Sequence, residues 1–167
     1  MLKRCAMNIN LSGVCGLAIA GLAIVAVADS RAQESFGDAA VMVEFQRAAD
    51  SYAFSHRQLE RRGEGAAALT EGTLFTPLVA DAFRKRIRRA AAGGCTVSDT
   101  ALIDFSVPRV NMRVDAPPVP ACVASVLPPL PDELEYRAGG VALLLVDAHL
   151  HIVVDVLHAA FPAPATP

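Results

Sequence analysis

The sequence predicts an α+β domain, two amphipathic helices packed on a C-terminal three-stranded antiparallel meander. Three observations lead there. Apolar residues recur at helical spacing between residues 38 and 92. Pro108, Pro117, Pro118, Pro120, Pro128, Pro129 and Pro131 then break all periodicity. From Leu134 to Leu157 the pattern changes to apolar and β-branched runs separated by turn-forming residues.

The N-terminus reads as a secretory signal over residues 1–32. Lys3 and Arg4 form a positive n-region, and Leu11 to Ala28 is an apolar stretch without charge. Small residues stand at two cleavage positions, Ala26-Val27-Ala28 and Ser30-Arg31-Ala32. Left uncleaved, the 18 residues from Leu11 to Ala28 would just span a bilayer, so membrane attachment is expected only through this segment. Val14 before Cys15 does not suit a lipobox, and no twin-arginine pair precedes the apolar stretch.

Residues 33–161 then form one small domain, and the Pro/Ala-rich tail from 162 to 167 is expected to be disordered. Asp38 is placed to cap a helix running to about residue 62. Its apolar stripe passes through Val41, Phe45, Ala48, Tyr52 and Leu59, and Arg61-Arg62-Gly63 ends it. Thr76-Pro77 starts a second helix with the stripe Val79, Phe83, Ile87 and Ala90, stopped by Gly93-Gly94. In the proline-rich middle, Ala101–Val107 reads as a strand and Ala121–Leu127 as a helical turn. The P-x-x-P pattern at Pro128–Pro131 reads as a rigid entry to the meander. Leu134–Arg137 opens the first strand and Ala138-Gly139-Gly140 turns the chain. Val141–Val146 is a strand with no polar face, so it needs cover on both sides, from the helices or from a second copy of the chain. Asp147-Ala148-His149 is the next turn, and Ile152–Leu157 the last strand.

Cys5 and Cys15 fall within the signal, which leaves Cys95 and Cys122. In an oxidising compartment these either pair or remain two small buried thiols. A bridge would close 27 residues and contribute about 3.5 kcal/mol on the chain-entropy view. Without residues 1–32, 12 of the 15 basic residues remain against 16 of the 17 acidic ones, a net charge of −4. That balance argues against nucleic acid as a partner.

Taken together, several stretches resemble a family of small exported bacterial proteins that carries no assigned activity. The residues concerned are Phe45, Tyr52 and Leu59, then Leu74-Phe75-Thr76-Pro77 leading to Phe83-Arg84. The most specific part is Leu127-Pro128-Pro129-Leu130-Pro131 with Leu134-Glu135-Tyr136-Arg137, Asp147 and Ile152–Leu157. The resemblance implies export, two helices and a C-terminal hairpin. It also implies counterparts for Asp147 and Asp155, but none for His149 and His151, and it supplies no substrate.

The stretch DAHLHIVVDVLH, residues 147–158, holds three of the four histidines. On a single strand Asp147, His149, His151 and Asp155 would share one face. His149, His151 and Asp155 are therefore the candidate metal ligands, of the nitrogen and oxygen type that zinc accepts, with an open position for hydrolytic chemistry. The competing reading takes 147–149 as a turn, in which Asp147 bonds its own backbone. His151 and Asp155 then lie on a less apolar face, opposite Ile152, Val154 and Val156, and His158 is a surface residue. The turn reading is favoured.

Arg84, Lys85, Arg86, Arg88 and Arg89 offer a second candidate, a surface for an anionic protein or envelope component. The solvated face of the second helix explains the same run more simply. His56 could act as a base, but no serine or cysteine motif accompanies it. No G-x-S-x-G, H-E-x-x-H, C-x-x-C or P-loop pattern occurs. The sequence thus favours a periplasmic or secreted, non-enzymatic binding or envelope-associated protein without a cofactor. The alternative is a metal-binding protein or metallohydrolase using the C-terminal His/Asp cluster.

Overall fold

In a computed structural model, residues 14–64, 69–95 and 108–162 are described, with side chains from Gly37 onward. The n-region and the start of the apolar segment lie outside the described residues, as do the side chains at both cleavage positions. The expected strand 101–107 and tail residues 163–167 lie outside them too. The chain divides into two compact units, Met1–Ala39 and Ala40–Pro167. Among the described residues no helix is long and apolar enough to cross a membrane.

The protein is α+β. Helices α1 (Val14–Arg62), α2 (Pro77–Ala92) and the short α3 (Ala121–Ala124) precede strands β1 (Leu134–Gly139), β2 (Ala142–Asp147) and β3 (Val153–Leu157). The strands form one antiparallel sheet in the order β1-β2-β3. Helix α1 does not start at Asp38. No proline interrupts residues 14–62, and Gly37 just before Asp38 costs only about 1 kcal/mol, so Asp38 is an interior helical residue. The buried line on α1 is Phe45, Ala49, Ala53 and His56. It is rotated slightly from the expected stripe, whose Val41, Ala48 and Tyr52 are half-buried. Helix α2 follows its reading closely. Thr76 stands at the N-cap and Pro77 at the first turn, although the Thr76 hydroxyl makes no capping bond. Val79, Phe83 and Ile87 are buried, and Gly93 ends the helix.

One face of the sheet meets the helices. Leu134, Ala138, Leu143, Leu145, Val154 and Leu157 pack with Phe45, Ala49, Val79, Phe83 and Ile87. Phe83 is the hub, with ring centroids 4.8 Å from Phe45, 5.3 Å from Phe75 and 6.2 Å from Tyr136. All six residues of β2 are buried, so its other face also needs cover. The chain itself provides it. Ala116, with Val110 and Val114 beside it, packs on Ala142, Leu144, Val146, Val153 and Val156.

This covering segment also bonds to both sheet edges. The Asn111 N–H donates to Val153 O and the Val153 N–H to Met112 O, each at 2.8 Å. At the opposite edge the Ala138 N–H donates to Pro117 O at 2.9 Å. Proline lacks a donor, yet the Pro117 carbonyl serves as an acceptor for the β1 edge. The β1–β2 turn falls one residue later than expected, at Gly140-Val141. Gly140 adopts φ +62°, which a tight hairpin requires. Gly139 stays in the strand, where a Cβ would lie 2.8 Å from Leu144 Cδ1.

Between β2 and β3 the register slips. Val146 pairs with Val153 and Leu145 with Asp155, which leaves Val154 as the extra residue of a β-bulge. Val153 and Val156 therefore belong to one face, and Val154 and Leu157 to the other. Cys95, at the exit of α2, and Cys122, in α3, form a disulfide with Cα atoms 5.9 Å apart.

Candidate functional site

Asp147 ends β2 and is fully buried. Its Oδ1 accepts the backbone N–H groups of His149 at 2.9 Å and Leu150 at 2.8 Å. These bonds make a turn over 148–150, one residue later than the 147–149 turn that the sequence favoured. Its Oδ2 reaches the other way, to helix α1. It accepts the Tyr52 hydroxyl at 2.7 Å and lies 2.9 Å from His56 Nδ1. A carboxylate has about four acceptor sites; Tyr52, His149 and Leu150 fill three of those of Asp147, and His56 Nδ1 stands close to the fourth. Burial, followed by the bond to Asp147 and its negative charge, pushes the Tyr52 hydroxyl pKa far up.

His56 is itself buried, with 3 % of its side chain exposed. The proximity of Nδ1 to the Asp147 carboxylate favours the ring tautomer with its proton on Nδ1, which leaves the lone pair on Nε2. That Nε2 lies 3.0 Å from Glu60 Oε1, yet no protein atom meets it with hydrogen-bond geometry. The distance marks proximity, and the angular misfit decides that it is not a hydrogen bond. Glu60 is one helical turn beyond His56, so both project from the same face of α1. The 148–150 turn brings His149 to this place, with Nδ1 3.2 Å from Glu60 Oε1 and ring centroids 5.6 Å from His56. Ligand atoms of His56, Glu60 and His149 all lie within 4.8 Å of one another. Glu60 and His149 are about half exposed, so the group opens to solvent.

Beside it, Arg57 pairs with the buried Glu133. Burial pushes the Glu133 carboxyl up, but the bond from Arg57, its own backbone N–H and the charges of Arg57 and His149 outweigh this. The net result holds it below its ordinary value of 4.5.

The three ligands expected from the C-terminal stretch are not brought together. His149 faces α1. His151 adopts φ +54° as the chain re-enters β3, and its exposed side chain lines a shallow hollow with Arg113, Val114 and Asp115. Asp155 is fully buried and does not lie on a polar strand face. The bulge directs its carboxylate to the 72–75 loop, where Oδ1 accepts Gly72 N–H and Oδ2 accepts Leu74 and Phe75 N–H, at 2.7–2.8 Å. Val156 N–H adds a fourth bond at 2.8 Å. His158 is exposed and lies 2.9 Å from Glu71 Oε1.

The five cations of α2 do not form one free surface. Arg84 donates to His158 O and to Asp81, and Arg86 donates to Val126 O. Lys85 is half-buried, while Arg88 and Arg89 are exposed. Sequence reasoning missed Glu60 as a partner of His56, although their i, i+4 spacing was visible. No protein-family model, curated protein or solved structure matches this chain.

Proposed function

We propose that the chain is an exported protein of the bacterial periplasm or envelope that acts by binding rather than by catalysis. The observation that carries this reading is the Cys95–Cys122 bond. Disulfides persist in oxidising compartments, and one closing 27 residues contributes about 3.5 kcal/mol there. The n-region, the apolar segment and the small residues at Ala28 and Ala32 support export, as does the resemblance to small exported bacterial proteins.

Binding is favoured over catalysis by the use already made of the buried acids. Asp155 accepts four hydrogen bonds, and Asp147 accepts three with His56 Nδ1 2.9 Å away, so both carboxylates are already occupied by the protein. The exposed end of α2, with Arg88 and Arg89, suits an anionic envelope partner.

The full chain, tagged at its C-terminus and expressed in a Gram-negative host, tests the reading by fractionation and N-terminal sequencing. The expected product begins at Asp29 or Gln33, partitions with the periplasm or envelope, and has no free thiol at Cys95 or Cys122. An unprocessed cytoplasmic chain with both thiols free overturns it.

A further inference from the structure

We infer that His56, Glu60 and His149 form a binding site for a divalent transition-metal ion of the zinc type, with Asp147 positioning His56 from behind. The site stands apart from the export reading, because it rests on side-chain geometry alone.

Four observations carry it. The first is the orphaned Nε2 of His56. This nitrogen is buried, no protein group meets it in hydrogen-bond geometry, and it faces a carboxylate oxygen 3.0 Å away. With the ring proton on Nδ1, the Nε2 lone pair has no donor to accept from, although a carboxylate oxygen stands close by. A cation set to one side of the Nε2–Oε1 line would give both atoms a partner.

The second is spacing. Zinc binds imidazole nitrogen and carboxylate oxygen at roughly 2.0–2.2 Å, so tetrahedral ligand atoms stand about 3.3 Å apart. Glu60 Oε1 lies 3.0 Å from His56 Nε2 and 3.2 Å from His149 Nδ1. The remaining separation, at most 4.8 Å, closes by rotation of the half-exposed His149 side chain.

The third is the outer shell. A ligating histidine characteristically gives its other ring N–H to a carboxylate, which sets the tautomer and the ring plane. Asp147 does this for His56 at 2.9 Å, and it is itself held by Tyr52 and two backbone N–H groups. The fourth is the donor set. Two imidazoles and one carboxylate suit zinc, copper or nickel and not magnesium or calcium, which take oxygen ligands. Three protein ligands, with Glu60 and His149 open to solvent, leave a fourth position for water.

The test uses the purified full chain, stripped with a chelator and titrated with zinc alone against a chromophoric competitor. His149→Ala and Glu60→Gln alter half-exposed side chains, so both variants are expected to melt like the parent in chelator. One zinc per chain is expected. Each variant should raise the zinc Kd at least about tenfold and remove the zinc-dependent rise in Tm. Cobalt should give the d–d absorption of a tetrahedral site in the parent and lose it in His149→Ala. His151→Ala and His158→Ala should leave affinity unchanged. Three results would each overturn the site: no binding at a tenfold excess of zinc, binding indifferent to both His149→Ala and Glu60→Gln, or equal losses in His151→Ala.

Discussion

His56 Nδ1 and Asp147 Oδ2 lie 2.9 Å apart in the protein interior and join the first helix to the sheet. The same carboxylate forms the β2–β3 turn through the N–H groups of His149 and Leu150. Asp147→Ala would strip both functions at once and leave the Tyr52 hydroxyl, the His56 ring and two amides without their acceptor. At about 1–3 kcal/mol for each buried group so stranded, the loss should reach at least about 3 kcal/mol. Urea denaturation measures it. A loss under about 1 kcal/mol would mean that Asp147 does not link these elements.

Asp155 performs the corresponding task for the loop before α2. Asp155→Ala should free the amides of Gly72, Leu74 and Phe75. Their hydrogen exchange should accelerate more than that of β2, whose amides report global opening. Uniform acceleration across the chain would contradict a local role.

The aromatic hub predicts a large packing effect. Phe83 touches rings from α1, from the 72–75 loop and from β1, and it is fully buried. Phe83→Ala should destabilise by about 3–5 kcal/mol, whereas Leu78→Ala, at an exposed position, should change stability by less than about 0.5 kcal/mol.

Stability should fall at both ends of the pH scale. The Glu133 carboxyl is held below its ordinary value of 4.5, so its contribution is complete above that pH. It disappears as pH drops through the lower folded-state value, because the unfolded chain takes up the proton first. Tyr52 and Tyr136, the chain's only tyrosines, shift the other way. Burial raises both, against the pull of the Arg86 charge on Tyr136. Their contribution is complete below the ordinary value of 10.0 and is lost as pH rises above it. Tyrosinate absorbance should therefore appear only as the protein unfolds, and a free titration near pH 10 in the folded state would refute this. For the acid limb, Glu133→Gln should flatten the fall in Tm below pH 4.5.

Much of the fold was legible because it is written in local periods. The stripe through Phe83 and Ile87, the Thr76-Pro77 start, the glycines after α2 and the apolar run of β2 each act over a few residues. Asp147 was also readable as a turn former, since its Oδ1 bonds lie two and three residues away. Less legible was the start of α1, where a plausible cap at Asp38 lies within a longer helix.

The sequence by itself determined the element types, the cystine pair as one of two options, and a turn after β2 to within one residue. Only the tertiary structure decided what those pieces face. The bulge at Val154 moved Asp155 off the parity of a regular strand and into the 72–75 loop, so the expected trio of His149, His151 and Asp155 is not assembled. His149 meets Glu60 from 89 positions away, because α1 packs across the sheet and the Asp147 turn presents the imidazole to it. Strand alternation cannot encode such a meeting. It depends on where two separately readable elements dock, which the shared burial of His56 and Asp147 decides.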